Sequence, residues 1–479
     1  MKIRFFSILI LTLLASGCNK SDPAPFGPVP TKSQLDWQRM EINMFCHFGP
    51  NTFSGAEWGD GKEPENLFKP SALNCSQWVD VAQAAGMKGI ILTAKHHDGF
   101  CLWPSAYSTH TVANSSWRDG QGDVLREFTE ACRGRVKAGV YISPWDRNHP
   151  TYGTSAYNEV FAGTLKEVHT QYGPLFEQWF DGACGEGPNG KKQSYDWPRF
   201  MKTMDEIAPQ TIIFSDIGPG CRWVGNEDGH TGNTCWSTLC TAGATPSDNK
   251  PSPAKLETGH SPYESSNNCH SSLKWVPAEC DVSIRPGWFW HPEEHPKTVD
   301  ELMDIYFNSV GRNGLLLLNV PPDTAGRIAA EDSAVLMAFR AERDRIFAKD
   351  LALGAKAKGH HIRGHQAHNV TDTSYHTYWA AKGKKAELTL ELDSVTEFDI
   401  IVIQEYIPLG QRVASVDLTI DKGDGIYPHT TPIQPLCTTV GYKRIVRLDH
   451  PISTNRLVFT FQALAPPVIN RIALYNSTR

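Results

Sequence analysis

A chain of 479 residues is too long for one ordinary core and points to two or three domains. With 20% charged residues and a net charge of -6, the composition is that of a soluble globular protein, and no basic block supports a nucleic-acid or other polyanion partner. Aromatic residues stand out, with 14 Trp, 14 Tyr and 21 Phe, which suits either a large aromatic core or flat indole faces that stack on sugars.

The first element is a leader. Met1-Lys2-Ile3-Arg4 is basic, and residues 5–14 form an apolar run too short to span a membrane. Ala15-Ser16-Gly17-Cys18 follows and resembles the end of a bacterial lipoprotein signal. The reading is a signal peptide over 1–17, a lipidated Cys18 and a Pro-rich tether over 18–32. An ordinary cleaved signal peptide is the alternative. Either way the chain is expected to be exported, as a periplasmic protein or an outer-membrane lipoprotein of a bacterium, touching membrane only through a lipid at Cys18. Of the 12 cysteines, 11 remain without Cys18, so at least one is unpaired or joined to another chain. Cys221, Cys235, Cys240, Cys269 and Cys280 crowd one region and can supply a disulfide or two. Their spacing fits no zinc pattern. Cys46, Cys101 and Cys184 read as buried thiols.

From 33 to 350 helical and strand-like segments alternate. Asn74 reads as a helix cap with Gln77 completing a capping box. Trp78, Val81, Ala82 and Ala85 follow at helical spacing, Gly86 ends the helix, and Ile90-Ile91-Leu92 is an apolar strand suited to a sheet buried on both faces. The unit recurs with strands at 140–142, 176–180, 212–214 and 315–318, each after a helical stretch, and a helix over 331–347 closes the series. Such alternation predicts a closed parallel (β/α)8-like (TIM) barrel. After about 353 the helical period gives way to short β-rich runs punctuated by Gly, Pro and Asp, which predict an antiparallel β-sandwich over 354–479. No internal repeat is present.

Residues with chemical potential gather at or just after the strands, where barrels of this kind carry their active sites. His47 follows Met44-Phe45-Cys46, His96 and His97 follow the 90–92 strand, Tyr141 lies in the next, and Asp181 ends Gln178-Trp179-Phe180. A carboxylate fixed at a strand end can attack an anomeric carbon, although a structural Asp capping the next loop fits the segment alone equally well. A retaining glycosidase needs a second carboxyl as acid/base, for which Glu227 and Glu279 are candidates. Glu227 follows Gly225-Asn226 on a polar loop near Trp223, suited to an accessible acid. Glu279 lies nearer a strand and is more rigidly held. His96-His97 suggests a metal at first sight, but adjacent side chains diverge and no third ligand follows at a fixed spacing, so no metal or cofactor is expected. Neutral histidines bonding sugar hydroxyls fit better. Glu57-Trp58 offers a carboxylate for hydroxyls and an indole for stacking.

Taken together, His47-Phe48-Gly49, Glu57-Trp58, Lys95-His96-His97-Asp98-Gly99-Phe100, Trp179-Phe180-Asp181-Gly182, Ser283-Ile284-Arg285-Pro286-Gly287-Trp288-Phe289 and Asn313-Gly314-Leu315-Leu316-Leu317-Leu318-Asn319-Val320 resemble the glycoside hydrolase family 29 α-L-fucosidases, in order across nearly the whole barrel. The resemblance implies a retaining exo-α-L-fucosidase with Asp181 as nucleophile. It implies sugar contacts from His47, Glu57, His96, His97 and Tyr141, and a pocket lined by Trp58 and Trp179. Arg222, Glu279 and Trp288 join the expected substrate-binding set. Arg222-Trp223-Val224-Gly225-Asn226-Glu227 is similar to the acid/base segment of the subfamily selective for α1,3 and α1,4 linkages, which places Glu227 ahead of Glu279. The implied partners are fucosylated, Lewis-type oligosaccharides. Two rivals remain at this point: a sugar-binding surface lipoprotein without catalysis, and a metal-dependent hydrolase built on His96 and His97.

Overall fold

The computed structural model describes residues 22–242, 245–246, 272–421 and 430–478. The expected leader, Cys18 and Cys269 lie outside the described residues. Eight parallel strands pair in chain order and close: β1 (Ile42–Cys46), β2 (Gly89–Lys95), β3 (Lys137–Ile142), β4 (Glu177–Trp179), β5 (Ile212–Ser215), β6 (Cys221–Trp223), β7 (Ala278–Ser283) and β8 (Gly314–Asn319), which returns to β1. Alternation along each strand divides the side chains. Met44, Ile90, Val140 and Leu316 meet the outer helices, while Phe45, Ile91, Tyr141, Trp179, Phe214 and Leu317 fill the interior.

The helical segments lie where their caps and apolar spacing put them. Helix α1 (Lys32–Gln38) opens on a capping box made by Thr31 and Gln34. Asn74 caps α2 (Cys75–Ala84), Asp123 caps α3 (Val124–Cys132), α4 (Ser155–Gln171) follows Thr154, and Asp196 caps α5 (Trp197–Ile207). The series ends with α6 (Val299–Asn308) and α7 (Ala330–Ile346). The capping box expected at Gln77 does not close. Its backbone N–H donates to Asn74, but its side-chain amide bonds both the C=O and the N–H of Ile328, at 3.0 and 2.9 Å, so a tertiary contact has displaced the local one.

Helix α1 seals the N-terminal mouth of the barrel. Gln34 donates to the carbonyls of Gly220 and Trp275, and the Trp37 indole N–H reaches Glu177 Oε2 at 2.8 Å. The tether expected over 18–32 is docked wherever it is described. Asp22 pairs with His365, Ala24 O accepts from Arg412, and Phe26 N donates to Leu409 O, because Pro-rich backbone still has groups to satisfy.

The C-terminal domain is one antiparallel seven-stranded sheet built from β9 (Lys356–Lys358), β10 (Trp379–Ala380), β11 (Lys385–Glu405), β12 (Val413–Asp421), β13 (Thr430–Cys437), β14 (Arg444–Ala463) and β15 (Val468–Tyr475). Its order is β10-β15-β11-β14-β12-β13, with β9 on β11. The sheet curls over its own core: Trp379 of β10 lies 5.7 Å from Phe461 of β14, although two strands separate them in the sheet. Register shifts between Glu391 and Thr396 and between Phe398 and Ile400 of β11 supply the bend.

This domain grips the loop that follows β6. Cys235 N donates to Thr439 Oγ1 at 3.0 Å and Ser237 N to Gln411 Oε1 at 2.7 Å. Asn313, at a φ of 67°, joins both sides, its amide N–H donating to Cys235 O at 3.0 Å and its Oδ1 accepting from Tyr442 N at 2.7 Å. Cys46, Cys101, Cys221, Cys235 and Cys280 are buried free thiols, Cys184 is half-buried and free, and Cys240 is disulfide-bonded.

Candidate active site

At the C-terminal ends of the strands lies a cavity of about 150 Å³, below the ~300–1,000 Å³ of sites for drug-sized ligands and of a size for one small ring. His47 enters from just beyond β1, His96 and His97 from beyond β2, Tyr141 from β3, Trp179 and Asp181 from the end of β4, Glu227 from the loop after β6, and Asp281 from β7. Glu57 and Trp58, from the loop after β1, and Trp288, from the loop after β7, complete the walls with Phe45 and Ala183.

Asp181 is held from both ends. Its Oδ2 accepts from Tyr141 Oη at 3.0 Å and its Oδ1 from Ala183 N at 2.7 Å, while His97 Nε2 stands 3.7 Å away. At the next residue a Cβ would lie 2.6 Å from Asp216 Oδ1, so any side chain on Gly182 would push Asp216 aside. The Asp181 side chain is a quarter exposed, so an incoming atom can reach it.

The three histidines are neutral around pH 7. Burial pushes His47 down to about 3 and His97 down to about 4, the latter against the pull of Asp181, and holds His96 well below the usual range. Hydrogen bonds assign the His47 tautomer. The Asn319 amide nitrogen donates to Trp288 O at 2.8 Å and Ser283 Oγ at 2.9 Å, which turns its Oδ1 to His47 Nδ1 at 2.9 Å. Nδ1 therefore carries the proton, and Nε2 is left as an acceptor for a hydroxyl. His97 Nδ1 bonds Ser143 Oγ at 2.8 Å. His96 Nδ1 is buried with no hydrogen-bond partner among the described residues, an arrangement that calls for a polar ligand. Trp58 stands over the mouth with 58% of its surface exposed, edge-on to His97 and Trp145.

Glu227 stands at the rim on an exposed residue, after Gly225, whose φ of 102° turns the chain. Desolvation of its carboxyl by the pocket walls raises its pKa, and the nearby negative charge of Asp181 raises it further, while the Trp288 indole N–H, 3.3 Å from Oε2, pulls it down. A carboxyl so perturbed beside a second, firmly held one is the arrangement by which two acids take different roles. Glu57 faces a different demand. Its Oε2 accepts from Trp288 N at 2.7 Å and its Oε1 bonds His291 Nε2 at 2.7 Å, so it clasps the loop carrying Trp288.

All the expected site residues line this cavity except Arg222 and Glu279, whose expected contact with substrate the geometry does not support. Arg222 is fully buried and directs its guanidinium to the carbonyls of Trp223 and Trp236. Glu279 lies deeper in the barrel and accepts from the Trp179 indole N–H at 2.9 Å. Phe45, Ala183 and Asp281 were not anticipated. Asp281 was readable by alternation from Glu279, since residues two apart on a strand face the same side. Burial raises its carboxyl well above the usual range, Glu227 adds to this, and the Trp223 indole N–H donates to it at 3.0 Å. Among the described residues, metal-type ligands cluster only at Glu177, Cys221 and Glu279, below the pocket and away from His96 and His97.

The sequence profile described as Alpha-L-fucosidase matches residues 29–340. The relative named Alpha-L-fucosidase 1 of Arabidopsis thaliana is 41% identical over 484 aligned residues, spanning 98% of this chain and 92% of its own. A Ruminococcus gnavus GH29 fucosidase crystallised with fucose superposes with a TM-score of 0.83 at 30% identity, covering 97% of this chain and 98% of that one. A glycoside hydrolase 29 family member from an unknown rumen bacterium superposes at 0.80 with 37% identity, over 95% of this chain and 78% of its own. A fucosidase barrel, a curled antiparallel domain behind it and a one-ring pocket of neutral histidines with two unlike carboxyls thus coincide, and the chain belongs to the glycoside hydrolase family 29 α-L-fucosidases.

Proposed function

We propose that this α-L-fucosidase is a retaining exo-enzyme that removes α1,3- and α1,4-linked fucose from Lewis-type glycans. The observation that carries the mechanism is the placing of Asp181 and a pKa-raised Glu227 on one small cavity. Asp181, aimed by Tyr141 and Ala183, attacks the anomeric carbon while Glu227 protonates the leaving oxygen. Water then hydrolyses the fucosyl-enzyme, with Glu227 acting as base. The histidines bond ring hydroxyls as neutral donor–acceptors. The cavity's size favours a single terminal residue, hence exo action. The linkage preference rests on the 222–227 segment and its resemblance to the α1,3/1,4-selective subfamily. Export with a lipid anchor at Cys18 belongs to the same proposal, and Cys18→Ala should move the protein from the membrane to the soluble fraction.

The test is fucose release from a Lewis-type α1,3/4-fucosylated trisaccharide, an α1,2-fucosylated lactose and an aryl α-fucoside, by the parent protein, Asp181→Ala and Glu227→Ala. Selective release from the Lewis sugar, abolished in Asp181→Ala, supports the whole proposal. Loss of the acid should cost the sugar leaving group about 10²–10⁴-fold and the aryl one much less. Strong release from all three keeps the mechanism and removes the linkage preference. No release from any favours a sugar-binding lipoprotein instead.

A further inference from the structure

Beneath the pocket the barrel encloses two carboxyl groups that the reaction does not use. Glu177 and Glu279 are both fully buried. With Cys221 they bring their ligand atoms within 4.8 Å of one another, and among the described residues no basic side chain is a leading influence on either carboxyl. Each is instead anchored by an indole. Trp37 donates to Glu177 Oε2 at 2.8 Å from the barrel's base, and Trp179 donates to Glu279 Oε1 at 2.9 Å from the pocket above. Trp179 stacks on Phe214 at 3.9 Å and on Tyr141 at 5.3 Å, and Tyr141 is the residue that holds Asp181. Stacking fixes the plane of the Trp179 ring but not which edge carries the N–H, since a half-turn about Cβ–Cγ keeps the plane. The bond to Glu279 selects one of the two.

We propose that Glu177 and Glu279 share one proton and act as a positioning pair that locks the Trp179 indole as the floor of the sugar pocket. Two buried carboxylates this close, with no cation between them, cannot both ionise. With one proton between them, the neutral member donates to its partner and the pair still offers acceptors to both indoles. Desolvation raises both groups, Glu177 to about 7 and Glu279 well above the usual carboxyl range, in keeping with a retained proton. Only the catalytic consequence rests on the reading of the cavity as the fucose site.

Three variants test this: Glu279→Gln, Glu177→Gln and Glu279→Leu. Difference infrared spectra at neutral pH should show the loss of a neutral-carboxyl band in Glu279→Gln and a shift of that band in Glu177→Gln, where the partner of the neutral carboxyl changes. Glu279→Gln keeps an acceptor for Trp179 and should keep KM for an aryl α-fucoside within about three-fold of the parent. Glu279→Leu strands a buried N–H, which should raise KM about ten-fold while kcat changes less. A carboxyl whose folded pKa is raised gives stability that is lost as pH rises, so between about pH 5 and pH 8 the parent should lose stability relative to Glu279→Gln. If Glu279→Leu fails to fold, the infrared and pH measurements on the Gln variants decide. Unchanged neutral-carboxyl bands in both Gln variants, a parental KM in Glu279→Leu, or one metal ion per chain that is lost in Glu279→Gln would each overturn the proposal. A parent protein that releases no fucose would sink the fucosidase mechanism but leave the infrared and stability tests of the pair intact.

Discussion

Removing the Glu57 carboxylate tests whether it meets the sugar directly or works through the loop it clasps. Its side chain is 39% exposed and already serves three protein groups: Trp288 N at 2.7 Å, His291 Nε2 at 2.7 Å and Phe289 N at 3.4 Å. In Glu57→Ala the charge-assisted bond to Trp288 N is the main loss, about 1–2 kcal/mol once water's access to the site is allowed for, or roughly 5–30-fold in fucose affinity. His291 does not line the cavity, so any effect of its removal must pass through Glu57. His291→Ala should cost about 0.5–1 kcal/mol, or roughly two- to five-fold. The pair acts as a unit, so the double variant should bind within about two-fold of Glu57→Ala. Calorimetric titration with L-fucose, with KM on an aryl fucoside alongside, reads all three. Strict additivity, or parental affinity in His291→Ala beside a strongly impaired Glu57→Ala, would refute the clasp and make Glu57 a direct sugar ligand.

Three further outcomes follow from the same geometry. Trp288→Phe removes the N–H that lowers the Glu227 carboxyl, and a general acid is lost as pH rises through its pKa, so the alkaline limb of kcat/KM on a Lewis-type substrate should move to higher pH. Glu405, buried in the C-terminal domain, accepts from the backbone N–H groups of Arg412, Val413 and Gly441; Glu405→Ala strands these donors and the neighbouring Arg412 charge, at about 3–5 kcal/mol in urea unfolding. Fucose release should survive a strong chelator, because two carboxyls suffice for the chemistry, and its loss would return attention to a metal.

Much of the barrel was legible because its strands are apolar runs separated by amphipathic helices. Strands β6 and β7 were not, for a physical reason. β6 is three residues long and carries Arg222, while β7 carries Glu279 and Asp281, so neither presents the apolar run that marks a buried strand. The pocket lining was legible where it sits on strand ends, as with His47, Tyr141 and Asp181. Arg222 and Glu279 lie outside it: Glu279 faces the same side as Asp281 but deeper, and nearness in sequence to Glu227 does not tell on which side of the barrel wall Arg222 lies. In the C-terminal domain, the polar stretches at 393–398 and 449–455 lie within β11 and β14 as bends, since a polar kink and a turn look alike in one dimension.

The grip of the C-terminal sheet on residues 233–237 ties the pocket to a second domain. The acid/base candidate rides on a loop whose far end is anchored in that domain through Thr439 and Gln411. A graft of this barrel onto a foreign sheet would carry over Asp181 and the histidines intact but leave Glu227 on an unmoored segment. The 437–444 turn lines no part of the cavity, yet a change there would be felt at Glu227 through the loop the turn holds.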